Sequence, residues 1–507
     1  MKANLARTYS PSKNTKHEDP GKAWVFVFVL QESYKSWQTK GMSAMRLEHD
    51  LLGDYEIPSH AYWGVHSARA AENFPISGVP IGHYRSLIKA LAIVKEAAAK
   101  ANLEVGELDE KVASAIIAAC HEVAAGKFDK EFIVDAIQGG AGTSTNMNAN
   151  EVIANRALEL AGYQKGEYDH IHPLNDVNMS QSTNDVYPTA LKVALILEIR
   201  ELIKAMEYLR SAFAAKADEF KDVIKMGRTQ LQDAVPMTLG QEFATFARMT
   251  AEDEQRLKEV IPLLSEINLG GTAIGTGLNA PSGYTEAACR HLSELAGWQF
   301  VVAEDMVEAT QDSGVFVLVS GVLKRVAVKL SKEANDLRLL SSGPRAGFGE
   351  INLPARQAGS SIMPGKVNPV IPEVINQIAF TVIGNDMTVT MACEAGQLQL
   401  NAFEPIITRA LMMSIIYLRQ GCYTFADRCV SGITANVEKL RSDVERSIGT
   451  VTALSPMLGY ENATLVAQTA LAENSTVKEV VLRLGLMTEQ EFNSVLGDVD
   501  ALVRPND

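Results

Sequence analysis

From Thr189 to Lys225 the chain runs for 37 residues without a glycine or a proline, rich in Ala, Leu, Lys and Glu. At a rise of 1.5 Å per residue, a helix of that length would be about 55 Å long. That exceeds what a small compact monomer usually houses. Four further stretches read as long helices: Met237–Val260, Glu304–Leu340, Val370–Cys393 and Ile406–Val430. Three of them start beside a proline (Pro236, Pro369 or Pro405), which is tolerated at a helix start and breaks a helix interior. Within Glu304–Leu340, Val315–Val319 (VFVLV) is apolar on every face, as in a helix buried deep inside a protein. The unbroken run Gly314–Leu323 is too short to span a bilayer, and Lys324 and Arg325 follow at once. These features predict an all-α fold, a bundle of long helices extended by association of subunits. No strand-like alternation of any length is expected from Met45 onward.

At roughly 150 residues per domain, 507 residues suggest about three units. Residues 45–183 mix short helices (Tyr84–Ala101, Asp109–Gly126) with loops, residues 184–436 hold the long helices, and residues 437–507 form a small helical domain. Residues 1–44 differ in texture, with a single short apolar run, Trp24–Leu30. That run cannot cross a membrane and has no small-residue cleavage site after it. We expect a non-essential, disordered extension, or a chain whose functional start is Met42 or Met45. The net charge of −14 argues against nucleic acid as a partner, because phosphate binding needs a basic face. An anionic ligand must therefore meet a locally positive pocket. Five scattered cysteines with no CxxC spacing fit reduced thiols in the cytoplasm.

Four polar, flexible segments punctuate the helices: Gln138–Asn150 (QGGAGTSTNMNAN), Ser180–Asp185 (SQSTND), Gly227–Pro236 (GRTQLQDAVP) and Gly359–Pro369 (GSSIMPGKVNP). Taken singly, each reads as a helix cap or a turn. Together they offer many hydroxyls and amides and only one lysine. Such a set suits a small, rigid dicarboxylate, whose oxygens accept from hydroxyls, amides and N–H groups at helix starts. GSSIMPGK is no phosphate loop: five residues separate its glycines, and Val367 follows Lys366. Gly270–Gly277 (GGTAIGTG) reads as a sharp turn between helices. No His/Cys/Asp/Glu cluster has metal-ligand spacing.

GSSIMPGKVNP, with GTSTNMNANEV, QSTND, GRTQLQDAVPMTLGQEF, GGTAIGTGLN and SSGPRAGFGEINLP in the same order, resembles the fumarase/aspartase superfamily from about Met45 to the C-terminus. The resemblance implies a three-domain all-α fold with a central five-helix bundle, four copies forming a twenty-helix core, and active sites shared by three subunits. Ser144 after Thr143, Thr183 in QSTND and Gln230 after Thr229 lean towards the aspartase branch. That branch eliminates ammonia from L-aspartate to give fumarate. Fumarate hydratase or another superfamily lyase is the alternative, and a catalytically silent structural tetramer is an alternative of another class.

By this resemblance Ser360, on a Gly-bracketed lid, is the base and acts as an alkoxide whose pKa backbone N–H groups and Lys366 must lower. Thr143, Ser182, Thr183 and Ser361 would hold the carboxylate that becomes the aci-form. Lys366 and Asn368, with Thr183, Gln230 and Thr229 nearby, would hold the other. Asn184 and Thr143 would contact the leaving amino group. The spacing of Glu373, seven residues beyond Lys366, suits either a pair with that lysine or a solvated surface Glu. No cofactor is implied, with Mg2+ as an activator only. His172 in IHPLND matches a peripheral dicarboxylate site of related fumarases.

Overall fold

The computed structural model describes residues 44–496 together with Val503. The expectations for residues 1–43 lie outside the described residues. After a β-hairpin (β1, Met45–Asp50; β2, Gly53–Pro58) come four helices: α1 (Val65–Asn73), α2 (Arg85–Glu104), α3 (Glu110–Ala124) and α4 (Thr143–Leu160). Five long helices follow: α5 (Thr183–Glu219), α6 (Leu239–Val260), α9 (Gly314–Leu340), α10 (Val370–Glu394) and α11 (Glu404–Arg428). Between them lie a second hairpin (β3, Ile224–Thr229; β4, Gln232–Thr238), α7 (Tyr284–Ala296) and α8 (Met306–Gln311). The chain closes with α12 (Val437–Arg446), α13 (Val451–Glu473), α14 (Val477–Arg483) and α15 (Glu489–Leu496). No helix among the described residues is long and apolar enough to cross a membrane.

Side-chain bridges give the helix directions. α5 and α6 are antiparallel, joined by Arg210–Glu254 (2.8 Å) and Lys258–Glu207 (3.4 Å). Arg325–Asp253 and Lys329–Glu252 set α9 against α6. Ser320–Asp386 and Arg338–Asn376 set α10 antiparallel to α9. α11 runs parallel to α5, joined by Arg419–Glu198 and Tyr208–Asp427. The C-termini of α5, α9 and α11 and the N-termini of α6 and α10 therefore share one end of the bundle. Phe213, Phe220, Phe243, Phe246 and Phe425 pack there with ring centroids 5.5–6.4 Å apart. Each such pair adds about 0.5–1.5 kcal/mol beyond the area it buries. One continuous apolar core runs from β2 to α12, and a separate small core that includes Leu454, Val466, Val480 and Val481 lies under α13–α15.

Three local expectations are corrected. The long helix has 37 residues but starts six residues earlier, at Thr183, and contains Pro188. The carbonyl orphaned by the missing Pro188 N–H is that of Asn184, and Asn268 Nδ2 donates to it (3.1 Å). The last six residues assigned to that helix leave it, and Ile224–Lys225 start β3 because Met237 and Thr238 supply strand partners. The helix expected over Glu304–Leu340 is interrupted at Asp312, which is extended and accepts from Gly314 N (3.0 Å) to restart it. Finally, Val317 and Leu318 of VFVLV are exposed on the single chain, at 36 % and 48 %. The all-round apolar pattern thus includes an apolar surface that the described residues of the single chain leave uncovered.

One group in the bundle opposes its stability. Glu333 of α9 is 1 % exposed, and neither carboxyl oxygen has a hydrogen-bond partner among the described residues. Burial raises its pKa well above the carboxylate range; Asp253 and Asp336 add to this, while Lys332 and Lys329 oppose it. A raised carboxyl pKa makes the folded state the tighter proton binder, so the penalty grows as pH rises above the unfolded value. Glu333→Leu should therefore stabilise by about 1–3 kcal/mol, read as a higher Tm. The gap to the parent should widen from pH 5 to pH 8; a lower Tm at pH 8 would contradict it.

Candidate functional site

The four polar segments gather at two places. At one end of the bundle the N-termini of α4 and α5 meet. Gly142, with φ 90°, precedes Thr143, the exposed first residue of α4. A Cβ at Gly142 would run into the Tyr187 ring of α5, so only glycine lets the two helix starts approach so closely. Ser182 caps α5: its Oγ accepts from Asn184 N (3.2 Å), and Asp185 answers on the Ser182 N–H (3.0 Å), completing a capping box. Asn146 Nδ2 donates to Thr183 Oγ1 (3.1 Å) and ties the two helices. Both hydroxyls thus accept from the protein, which leaves the O–H protons of Ser182 and Thr183 free to donate to an anion. Asn184 Nδ2 is engaged by Ala273 O (2.7 Å). A cavity of about 390 Å³ opens here, lined by Gln181, Ser182, Thr272, Ala273 and Asn279 among others.

Buried charge underpins this end. Lys95 of α2 is fully buried, and its Nζ donates to Asn178 Oδ1 and Gln181 Oε1 (both 2.9 Å). Asn178 Oδ1 also accepts from Asn146 (3.0 Å) and Asn150 (3.2 Å). Burial pulls the Lys95 amine down to about 7, and Asp185 opposes that fall. Burial likewise pushes Asp185 up to about 7, against N–H donors from Ser182, Thr272 and Gly270. Asp185 Oδ2 accepts from the Gly270 and Thr272 amides (3.0 Å each), so the GGTAIGTG turn is docked on the start of α5.

At the opposite end stand the other two segments. Thr229 ends β3, and Gln230 and Leu231 (φ 53° and 64°) form the two-residue tip of the hairpin. Non-glycine residues in this region cost about 1–3 kcal/mol each. Thr229 and Gln230 are both exposed. The hairpin's root is fixed to the C-terminal end of α5, by Leu239 N to Val223 O (2.8 Å) and Gly240 N to Phe220 O (2.9 Å). The segment before α10 folds on itself through Gly359 N to Lys366 O (2.8 Å) and Asn368 Nδ2 to Gly359 O (2.7 Å). A Cβ at Gly359 would press on the Lys366 carbonyl and the Asn368 amide, so a side chain there would open the loop. Inside it, Ser360 Oγ accepts from Met363 N (2.9 Å) and Ile362 N (3.2 Å). Two aimed N–H groups favour the ionised form of a hydroxyl. Ser361 and Lys366 are exposed, as are the apolar Ile362, Met363 and Val367 beside them.

The structure therefore joins Thr143, Ser182, Thr183 and Asn184 at one end, and places Thr229, Gln230, Ser360, Ser361, Lys366 and Asn368 at the other. α5 separates the groups by about 55 Å, and a seven-residue strand reaches only about 23 Å. Two further expectations concern Glu373 and His172. Glu373, in the first turn of α10, and Lys366 form no ion pair with each other or with another of the described residues, because the closed loop leaves Lys366 in solvent. His172 turns its Nδ1 inward to accept from Leu174 N (3.0 Å) and Asn175 N (3.2 Å), which commits that nitrogen to capping its own turn. No group of three or more His, Cys, Asp or Glu among the described residues is placed to hold a metal ion. Sequence reasoning missed Lys95, Asn178, Asp185 as a docking group, and Asn146, although Asn146 lies within GTSTNMNAN itself. Lys95 sits in an Ala-rich helix with no flanking signal.

Comparison with known proteins follows this geometry. Residues 53–384 match the family described as "Lyase", and residues 451–503 match "Fumarase C C-terminus". An aspartate ammonia-lyase of Pseudomonas canavaninivorans is 57 % identical over 90 % of this chain and 96 % of its own. That of Escherichia coli K12 is 53 % identical over 91 % and 96 %. Among solved structures, a fumarate lyase:delta crystallin from Brucella melitensis bound to cobalt superposes with a TM-score of 0.88 at 54 % identity, covering 90 % of this chain and all of that one. A class II fumarase from Schistosoma mansoni gives 0.86 at 34 % identity, covering 92 % and all of its own chain. Asp185→Ala would remove the capping box and the two contacts to the 270–272 turn. It should lower stability by about 1–3 kcal/mol and weaken dicarboxylate binding; a parent-like Tm with unchanged calorimetric affinity for fumarate would refute this docking role.

Proposed function

The chain belongs to the fumarase/aspartase superfamily of lyases, and from that premise we propose that it reversibly eliminates ammonia from L-aspartate to give fumarate. The observation that carries the mechanism is Ser360 Oγ, which accepts two backbone N–H groups inside a closed loop. Ser360 in its alkoxide form takes the proton from the carbon beside one carboxylate. The electron pair left behind makes that group an aci-carboxylate, a dianion, and then expels ammonia from the neighbouring carbon as the double bond forms. The main task is to stabilise the dianion. The free O–H protons of Ser182 and Thr183, with Thr143 and Ser361, do this; each such donor is worth about 2.7–4 kcal/mol in the transition state. Lys366 and Asn368, helped by Gln230 and Thr229, hold the second carboxylate, and Thr143 and Asn184 face the amino group.

This site is assembled between chains. The two groups of residues lie at opposite ends of one bundle, so an antiparallel neighbour must bring its serine segment to this chain's Ser182. A homotetramer with sites shared by three subunits satisfies that need. It also explains the apolar stripe on α10, where Phe380, Ile383, Met387 and Met391 recur at helical spacing and Phe380 and Met391 are 64 % and 65 % exposed. All five cysteines are unpaired, which supports a reducing compartment such as the cytoplasm.

The purified protein should form fumarate from L-aspartate and none from L-malate; the reverse result would reassign it to hydration. Ser360→Ala should cut kcat about a thousandfold or more while the assembly survives; retained turnover would remove Ser360 from the role of base. Thr183→Val should also be nearly inactive. Refolding these two inactive variants together at equal amounts should restore about a quarter of the parent activity, since random association pairs an intact Ser360 with an intact Thr183 in that share of sites. No recovery in the mixed tetramer would mean that each site is built within one chain.

A further inference from the structure

Behind the Gln230 hairpin lies a closed charge cluster that the mechanism has not used. Glu350 is 1 % exposed and sits ten residues before Ser360. Its carboxylate pairs with two cations of β3, Lys225 (2.9 Å) and Arg228. Lys225, itself 2 % exposed, reaches Glu242 of α6 as well (2.5 Å). Two cations and two carboxylates balance, so the cluster brings no net charge to the anion site. Its geometry is specific. The β3–β4 register slips between Met226 and Arg228, a bulge of the kind that re-aims a side chain. Beyond the slip the Arg228 guanidinium lies over the Phe348 ring, 4.6 Å from its centroid, and meets Glu350. Thr229 and Gln230 follow directly.

The backbone of Glu350 is equally constrained. Its N–H donates to Leu340 O at the end of α9 (2.9 Å), and its carbonyl accepts from Asn436 N (2.9 Å). The next two residues pair with Thr434 and Ala435. Glu350 is thus where the chain leading to Ser360 leaves the bundle, and its side chain grips the hairpin that carries Gln230. We propose that Glu350 is a positioning residue that holds the Gln230 hairpin and the root of the Ser360 segment in one fixed register. Both loops leave this end of the bundle to be received by neighbouring chains. A misplacement of about 1 Å in either costs on the order of a hundredfold in rate. The inference rests on the reading of Gln230 and Ser360 as site residues.

The test is Glu350→Gln in the full-length assembled enzyme, with steady-state kinetics and calorimetric binding of fumarate. Because Gln230 is read as a ground-state contact and Ser360 as the base, kcat/KM for L-aspartate should fall about a hundredfold, with KM raised and kcat lowered, and fumarate affinity should drop while the tetramer persists. Arg228→Gln spares the Lys225–Glu350 pair and should reproduce the loss; the double variant should be no worse than either single one. If Glu350→Gln does not assemble, Arg228→Gln alone carries the test. An assembled variant with parental KM, kcat and fumarate affinity would overturn the proposal, as would losses that simply add. A parent enzyme that turns over L-malate but not L-aspartate would instead overturn the reading of the reaction, and the Glu350 comparison would then be made with L-malate.

Discussion

The length of α5 is the constraint on which the rest depends. A capped helix of 37 residues is a rigid spacer, and both groups of functional side chains are fixed to its ends. Ser182, Thr183 and Asn184 belong to its first turn or cap. The Gln230 hairpin is hydrogen-bonded to its last residues, and Lys216 near that end reaches Ile433 O (2.8 Å), next to the strand that anchors the Ser360 segment. Nothing within one chain can shorten this distance, so chemistry that needs both groups requires more than one chain. On the single chain, the apolar stripe on α10 and Val317 and Leu318 of α9 are exposed as well.

An acidic protein that handles a dicarboxylate must create attraction locally. Its means are hydroxyls whose acceptor lone pairs are already occupied. Asn184 N occupies Ser182 Oγ, Asn146 occupies Thr183 Oγ1, and two amides occupy Ser360 Oγ. In the first two cases the remaining proton is free to donate outward; in the third, the same geometry favours loss of the proton. One type of hydrogen bond thus favours outward donation at one end and the ionised form of a hydroxyl at the other. Preorganised dipoles of this kind stabilise developing charge without reorganising during the reaction.

Buried ionic groups differ in what they do. Lys95, Asp185, Lys225 and Glu350 all have partners that connect separate segments of chain, and their desolvation is offset by those contacts. Glu333 has no such partner among the described residues, so its burial there only opposes folding. The distinction lies in the contacts, because all five are equally hidden from solvent.

Much of this was legible in the sequence. One glycine- and proline-free run and four further long stretches, three of them starting beside a proline, specified five long helices, and the hydroxyl-rich segments marked the residues that line both ends, because helix length and capping are local properties. Local rules misjudged Pro188, the break at Asp312 and the β3–β4 hairpin. Asn268, the Asp312 carboxylate and the β4 partners decide those points, and for Pro188 and the hairpin they are contacts across the fold. Lys95 and Glu350 carried no local signal, since a buried ion pair is defined by two segments meeting. The sequence by itself determined which side chains can donate to a diacid and how long the helices between them are. Only the tertiary structure decided that those side chains stand at opposite ends of one bundle, because helix direction is set by packing between elements distant along the chain.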